Sequence, residues 1–435
     1  MLTRQIPTEY LARIIRVIKR RRIIYTGWMS SWFDFSNRQL FKALRNVGVG
    51  GIPLGRSGWQ AHKSQNTELS AETIKFILQY PLCIEFEKTL DELHRVDPEE
   101  LTKAKLRYKI LIQGYASVIS RAIEVSQPHA VAIVQGYEPY NAIARELAIQ
   151  RGLNVIAFEN TALSDRMLWD DHSAITTSRN LAKNFYWRHA GTAKLSDSVI
   201  YCNKVITETQ IRKPEEHASP AQRFTGKHSR RPTVLFLGQV YTDSSVIFGI
   251  CNWKTPVLLI RELCRLAEKM DFNLWIKLHP KEISGSSPVV DKPYAKLTWR
   301  KLVADPEFKN MATDSGNIMI DHDNIYDTYD LIEKSDAVVT LNSQAGLEAA
   351  IRSTPVVVTG QAFYSGLGFT FDADCSEVLE VQLRRALGIN SSEIKALSDN
   401  AALFTHLYYE QYCIEKTPNA VAQLIANRCF HINDT

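Results

Sequence analysis

Two carboxylates, Glu159 and Asp243, and a lysine–histidine pair, Lys277 and His279, share one kind of place in the chain: each stands at or just past the end of a short apolar run, at 154–158, 233–238 and 273–278. A fourth run, 337–341, leads into Asn342, Ser343, Gln344, Gly346 and Glu348. If the runs are strands, Lys277 and His279 lie two apart on one face and Pro280 stops the strand after them, so the pair can meet an anionic phosphate together. Asn342 and Ser343 open a helix whose first N–H groups suit phosphate oxygens, and Gly346 lets a ligand approach the first turn. One carboxylate that attacks and another that manages protons complete what group transfer needs. Each residue also has an ordinary reading: a cap for Asp243, His279 and Ser343, a solvated charge for Glu159. Only the set points to chemistry. Asp321, His322 and Asp323 are metal-ligand types, but three adjacent loop residues do not easily face one ion, and no metal is expected.

The elements that must position these residues alternate. A β-branched run near 21–26 is followed by a polar, aromatic loop and a helix-spaced segment near 37–45 with Ser36 as its N-cap. A strand at 130–134, a helix at 140–150, a turn at Gly152 and the strand at 154–158 form a second unit of the same kind. Residues 208–232 are polar, carry three prolines (Pro214, Pro220, Pro232) and lack apolar periodicity, which reads as a linker. After it come strand 233–238, a helix opened by Thr255 and Pro256, strand 273–278, a helix near 329–334, strand 337–341, a helix at 343–352 and strand 355–358. The end of the chain is helical in pattern from 392. The expected fold class is therefore α/β, with two parallel sheets: an N-terminal domain at 1–207, the linker at 208–232, a second α/β domain at 233–391, and a helical segment at 392–435 that packs back on the first domain. In such sheets ligands bind beyond the carboxyl ends of the strands, where all four polar clusters fall.

Composition closes off other classes. Of 435 residues 45% are hydrophobic and 23% charged, with only 20 Gly and 16 Pro, which excludes disorder and low complexity. A net charge of +5, not gathered into long basic runs beyond the N-terminus, argues against nucleic acid as the main partner. Seven scattered cysteines without a C-x-x-C indicate neither a disulfide framework nor a zinc site, and fit a reducing cytoplasm. No apolar run reaches the ~18 residues of a membrane span. Arg13, Arg16 and Arg20 recur at helical spacing beside Lys19, Arg21 and Arg22, which reads either as a surface helix or as a peripheral contact with the inner face of an anionic membrane.

The second half resembles the bacterial β-Kdo glycosyltransferases that build capsule and O-antigen glycans. The resemblance rests on Gly238-Gln239-Val240-Tyr241-Thr242-Asp243-Ser244-Ser245, on Ile276-Lys277-Leu278-His279-Pro280, and on segments 325–350 and 355–370, which fall in the family's order. Leu367 stands where the family has a tryptophan, and Asn342-Ser343 where it often has Ser-Thr or Ser-Ser. The resemblance implies a GT-B fold, two Rossmann-like domains facing across a cleft, with the donor CMP-β-Kdo held mainly by the C-terminal one. It further implies that His279 meets the CMP phosphate with Lys277 as a second phosphate contact, that Asn342, Ser343 and Gln344 lie at the phosphate and nucleotide, and that Glu348 meets the ribose hydroxyls. Asp243 would be the nucleophile of a retaining double displacement and Glu159 its acid/base partner.

What the resemblance implies overall is a metal-independent, cofactor-free transferase that moves Kdo from CMP-β-Kdo to a lipid-linked glycan acceptor in lipopolysaccharide or capsule synthesis. Three readings compete with it: a CMP-sialic acid transferase, a UDP-sugar 2-epimerase-like enzyme, and a non-catalytic glycan-binding module.

Overall fold

The computed structural model describes residues 21–26, 35–54, 69–171, 180–212, 219–222, 224–225, 228–284, 296–314 and 316–430. The basic N-terminal segment through Arg20 lies outside them. The chain forms two compact units, one of residues 1–82, 96–178 and 412–435, the other of 83–95 and 179–411.

The first unit is built on a six-stranded sheet. Its strands are β1 (Arg21–Thr26), β2 (Val49–Leu54), β3 (Ala130–Val134), β4 (Asn154–Asn160), β5 (Arg166–Asp170) and β12 (Ile414–Glu415), in the order β12-β5-β4-β3-β1-β2. Alternate residues of β1 feed different cores: Ile23 and Tyr25 join Phe158 and Ile425, whereas Ile24 joins Val131 and Ile143. A strand buried on both faces has no polar side, so its sequence is a continuous apolar run. β1 to β4 are parallel, but near one edge β5 is reversed and pairs antiparallel with both β4 and β12, which makes the sheet mixed rather than purely parallel as expected.

The second unit has the order β11-β10-β9-β6-β7-β8, with every pairing parallel. These strands are β6 (Thr233–Leu237), β7 (Asn273–Lys277), β8 (Ile318–Asp321), β9 (Ala337–Thr340), β10 (Val356–Val358) and β11 (Phe371–Asp372). From β6 the chain winds outward through β7 and β8, then returns to β9 on the other side of β6 and winds outward again. The order therefore reverses between β6 and β9, and that switch point is where an open parallel sheet offers a crevice.

The boundaries differ from those expected. The helices Asn180–His189 and Leu195–Arg212 belong to the second unit, because Leu195–Arg212 packs against the helix Ser391–His406, with Ser198 Oγ bonded to His406 Nδ1 at 3.0 Å. The expected linker is not a free tether where it is described. Ser219 N–H donates to Ile325 O at 2.6 Å, Ala221 N–H donates to Asp330 at 2.5 Å, and Phe224 meets the Trp275 ring edge-on. Of the C-terminal segment, only the part from Tyr412 joins the first unit. There the helix Pro418–Phe430 lays Val421, Ala422 and Ile425 on the sheet beside Leu40. Among the described residues no helix is long and apolar enough to cross a membrane.

Candidate functional site

At the β6/β9 switch point the loops that follow the two strands are tied together by side chains. Gln239, two residues past β6, accepts from the Asn342 N–H at 3.1 Å and donates to Ser245 Oγ at 2.9 Å. The Asn342 amide donates in turn to Ser245 O at 2.7 Å. Asn342 is buried, and its Oδ1 has no hydrogen-bond partner among the described residues. A buried acceptor without a donor costs free energy, about 1–3 kcal/mol, so it is a natural seat for a ligand hydroxyl or amine. An acceptor does not suit a phosphate oxygen, the group expected at Asn342.

Asp243 caps the helix Ser244–Gly249 from this same loop, its Oδ1 accepting from Ser245 N–H at 2.8 Å. Oδ2 accepts no protein hydrogen bond among the described residues. The carboxylate is half-buried, so one oxygen is oriented by the helix while the other keeps its acceptor capacity. The cap and nucleophile readings are thus compatible.

His279 follows β7, half-buried, and its Nδ1 accepts from the Lys281 N–H at 3.1 Å. The neutral ring therefore carries its proton on Nε2, the form that donates to an anion. Glu282, three residues on, is buried and collects three donors: Tyr241 N–H and Thr298 Oγ1 on Oε1, at 2.9 and 2.7 Å, and Thr298 N–H on Oε2 at 2.9 Å. Burial pushes its carboxyl above the usual range against these bonds, which pull it down. It joins the turn bearing His279, the loop bearing Asp243 and the start of the helix Leu297–Ala304. Tyr241 is further fixed by its hydroxyl, which donates to Glu92 at 2.9 Å, and Lys301 lies 4.6 Å over its ring.

Three expected roles need correction. Lys277 does not share an exposed face with His279: its ammonium is buried, 3.0 Å from Asp321 Oδ2, and donates to Tyr326 O at 2.7 Å. Asp321 also accepts from the N–H groups of Ile325 and Tyr326, so the lysine neutralises a buried carboxylate instead of meeting phosphate. Glu348 is 3% exposed and accepts from the Tyr329 hydroxyl at 3.0 Å, so it is a core residue rather than a surface contact for ribose. Gly346 is glycine because Tyr364 packs there: a Cβ would lie 2.1 Å from the tyrosine oxygen, which bonds Ser343 O at 2.5 Å. Ser343 caps the helix Gln344–Ala350, and Gln344 donates to Tyr409 Oη at 2.5 Å. The side chains of Asp321, His322 and Asp323 do not converge on one point: Asp321 turns to Lys277, while Asp323 pairs with Lys296 and lies 3.3 Å from Nδ1 of His322, whose ring stacks on Trp299.

Glu159 lies near the end of β4, half-buried, with Oε1 accepting from its neighbour's N–H, Asn160, at 2.9 Å. The switch point of the first unit is one strand further in, between β1 and β3. The carboxylate there is Glu138, which caps the helix Pro139–Gln150. The sequence held signals for what was missed: Glu138 precedes Pro139 as an N-cap does, Gln239 lies inside the first polar cluster, and Glu282 follows the His-Pro turn.

Two Rossmann-like units in one chain are the makings of the GT-B class. The chain belongs to the capsule polysaccharide biosynthesis protein family, whose model matches residues 174–409. It is 30% identical over 153 residues to the lipopolysaccharide-processing protein LpsZ of Rhizobium meliloti, covering 35% of this chain and 30% of that one. It is 24% identical over 192 residues to the capsule polysaccharide modification protein LipA of Neisseria meningitidis, covering 44% and 23%. The chain thus matches less than a third of the length of either relative. Among solved structures, KpsC, beta Kdo 2,4 transferase, of Thermosulfurimonas dismutans is similar at 19% identity and a TM-score of 0.44, covering 69% of this chain and 87% of that one.

Proposed function

We propose that this member of the family is a retaining β-Kdo transferase that moves Kdo from CMP-β-Kdo to a surface-glycan acceptor. The observation that carries the reading is the β6/β9 switch point, where an oriented carboxylate, Asp243, and an unpaired buried acceptor, Asn342 Oδ1, stand on loops tied by Gln239. Membership of a capsule polysaccharide family supports the substrate class, as do the surface-polysaccharide roles in the names of LpsZ and LipA.

The chemistry runs in two displacements. An Asp243 oxygen attacks C2 of Kdo; the bond from C2 to the phosphate oxygen breaks, and its electron pair leaves with CMP. His279 Nε2–H donates to the phosphate in this scheme and stabilises the charge that develops there. In the second step Glu159 takes the acceptor hydroxyl proton as that oxygen attacks C2 and releases the Asp243 carboxylate. Two inversions give net retention. CMP departs as a phosphate monoester, so the residues at the phosphate bear the leaving-group charge and no divalent metal is invoked.

The test is a donor screen of CMP-Kdo, CMP-sialic acid and UDP-GlcNAc, scored by nucleotide release with and without a glycan acceptor. Acceptor-dependent CMP release from CMP-Kdo alone is the expected result. Release of UDP, or no acceptor-dependent turnover of any donor, would overturn the reading in favour of an epimerase or a binding module.

A further inference from the structure

The helix Pro98–Ser126 presents an unpartnered face near its start. Its inner side, with Ile112, Tyr115, Ile119 and Ile123, packs into the core of the first unit. On its outer side Leu106 and Ile110, one turn apart, are 60% and 62% exposed. At 3.6 residues per turn they form one stripe, with Lys103 and Arg107 along one border and Lys105 and Lys109 along the other. All four cations are exposed. Lys103 pairs with Glu99 at 2.5 Å, and no acidic residue follows in the helix before Glu124.

From this charge pattern we infer that the stripe docks on an anionic lipid surface. A protein partner fits less well, since interface cores favour aromatic anchors and are depleted in lysine, while three of the four cations here are lysines. A bilayer surface accepts this pattern: the two aliphatic tips enter the headgroup boundary, and the long cationic side chains reach the lipid phosphates from both sides. Two aliphatic residues bury little area, so the attachment is weak and reversible and depends on charge.

The experiment is sedimentation of the full chain with vesicles of phosphatidylcholine alone or with phosphatidylglycerol, at low and high salt. Binding is expected only to the anionic vesicles, and it should fade as salt rises. At low salt each cation contributes roughly fivefold in affinity, so Lys105→Glu/Lys109→Glu should lose at least about 25-fold. Leu106→Ser/Ile110→Ser should weaken binding while leaving the melting temperature unchanged, because both side chains are exposed. A third variant, Arg13→Gln/Arg16→Gln/Arg20→Gln, should retain most of the binding. Equal sedimentation with neutral vesicles would overturn the inference. So would no sedimentation with anionic vesicles, as expected if the stripe meets an acidic protein instead, or loss in the N-terminal variant with none in the two helix variants.

Discussion

The Lys277 ammonium lies 3.0 Å from the Asp321 carboxylate at the ends of neighbouring strands, and both side chains are sealed from water. Asp321 also receives two backbone N–H groups from the turn that follows it, so the ion pair closes a polar knot beneath the edge of the sheet. Breaking a buried pair leaves the remaining charge uncompensated. Lys277→Ala should therefore cost about 3–5 kcal/mol in urea unfolding. The double variant Lys277→Met/Asp321→Leu should recover part of that loss. A single variant with wild-type stability that bound CMP more weakly would return Lys277 to the phosphate.

His279 and Glu348, both assigned to the nucleotide by the family resemblance, should now behave differently. His279 stands outside the core, so His279→Ala should leave the melting temperature nearly unchanged and weaken CMP binding about ten- to a hundred-fold, the worth of a hydrogen bond to a charged group. Removing the Glu348 carboxylate takes the Tyr329 hydroxyl's buried acceptor away. Glu348→Ala should lose about 1–3 kcal/mol of stability. Calorimetry with CMP beside a thermal melt separates the two effects.

Glu282 should give stability an unusual pH dependence. Burial raises its folded-state pKa above the unfolded one, so the folded protein holds this proton more tightly. The contribution is full below the unfolded value, near 4.5, and is lost as pH rises through the raised value. Relative to Glu282→Gln, which does not titrate, the wild-type protein should gain stability on acidification across that window, opposite to an ordinary salt-bridged carboxylate. At neutral pH the variant should still be less stable by about 1–3 kcal/mol, because an amide cannot accept from all three donors. Denaturant melts of both proteins from pH 4 to 7 check the sign.

The alternation of apolar runs and helix-spaced segments made the central strands β1, β3, β4, β6, β7, β9 and β10 legible, because strands buried on both faces carry an unbroken apolar signal. The edges were not legible. β2 reads Val49-Gly50-Gly51-Ile52-Pro53-Leu54, with two glycines and a proline where a strand signal is expected, and β5 and β11 are short and half polar. Loop residues at strand ends could be located but not ranked. Lys277 and His279 are two residues apart, yet one is buried against a carboxylate from the next strand and the other caps a turn. That difference depends on Asp321, 44 residues away, and local spacing carries no trace of it. Helix Leu195–Arg212 was placed with the wrong unit for a similar reason: its partner, the helix Ser391–His406, lies almost two hundred residues further on.

The proton-managing carboxylate has two candidates, and kinetics can separate them. Glu159 sits past the parallel part of β4, while Glu138 occupies the switch point of the same sheet but is engaged as a helix cap, its Oε2 accepting from Asn141 N–H and Nδ2, each at 3.3 Å. If Glu159 deprotonates the acceptor, Glu159→Gln should slow the second displacement more than the first, and a Kdo adduct should build up on Asp243 when CMP-Kdo is supplied. Glu138→Gln should turn over near normally and cost only the stability of a weakened cap, about 0.5–2 kcal/mol. The adduct is mapped by digestion and tandem mass spectrometry, with Asp243→Asn as the control that cannot form it. If the adduct accumulates in Glu138→Gln and not in Glu159→Gln, the acid/base role passes to the switch-point residue. Near-normal transfer by Asp243→Ala would remove the nucleophile altogether, because a carboxylate that only caps six residues of helix has no part in the chemistry.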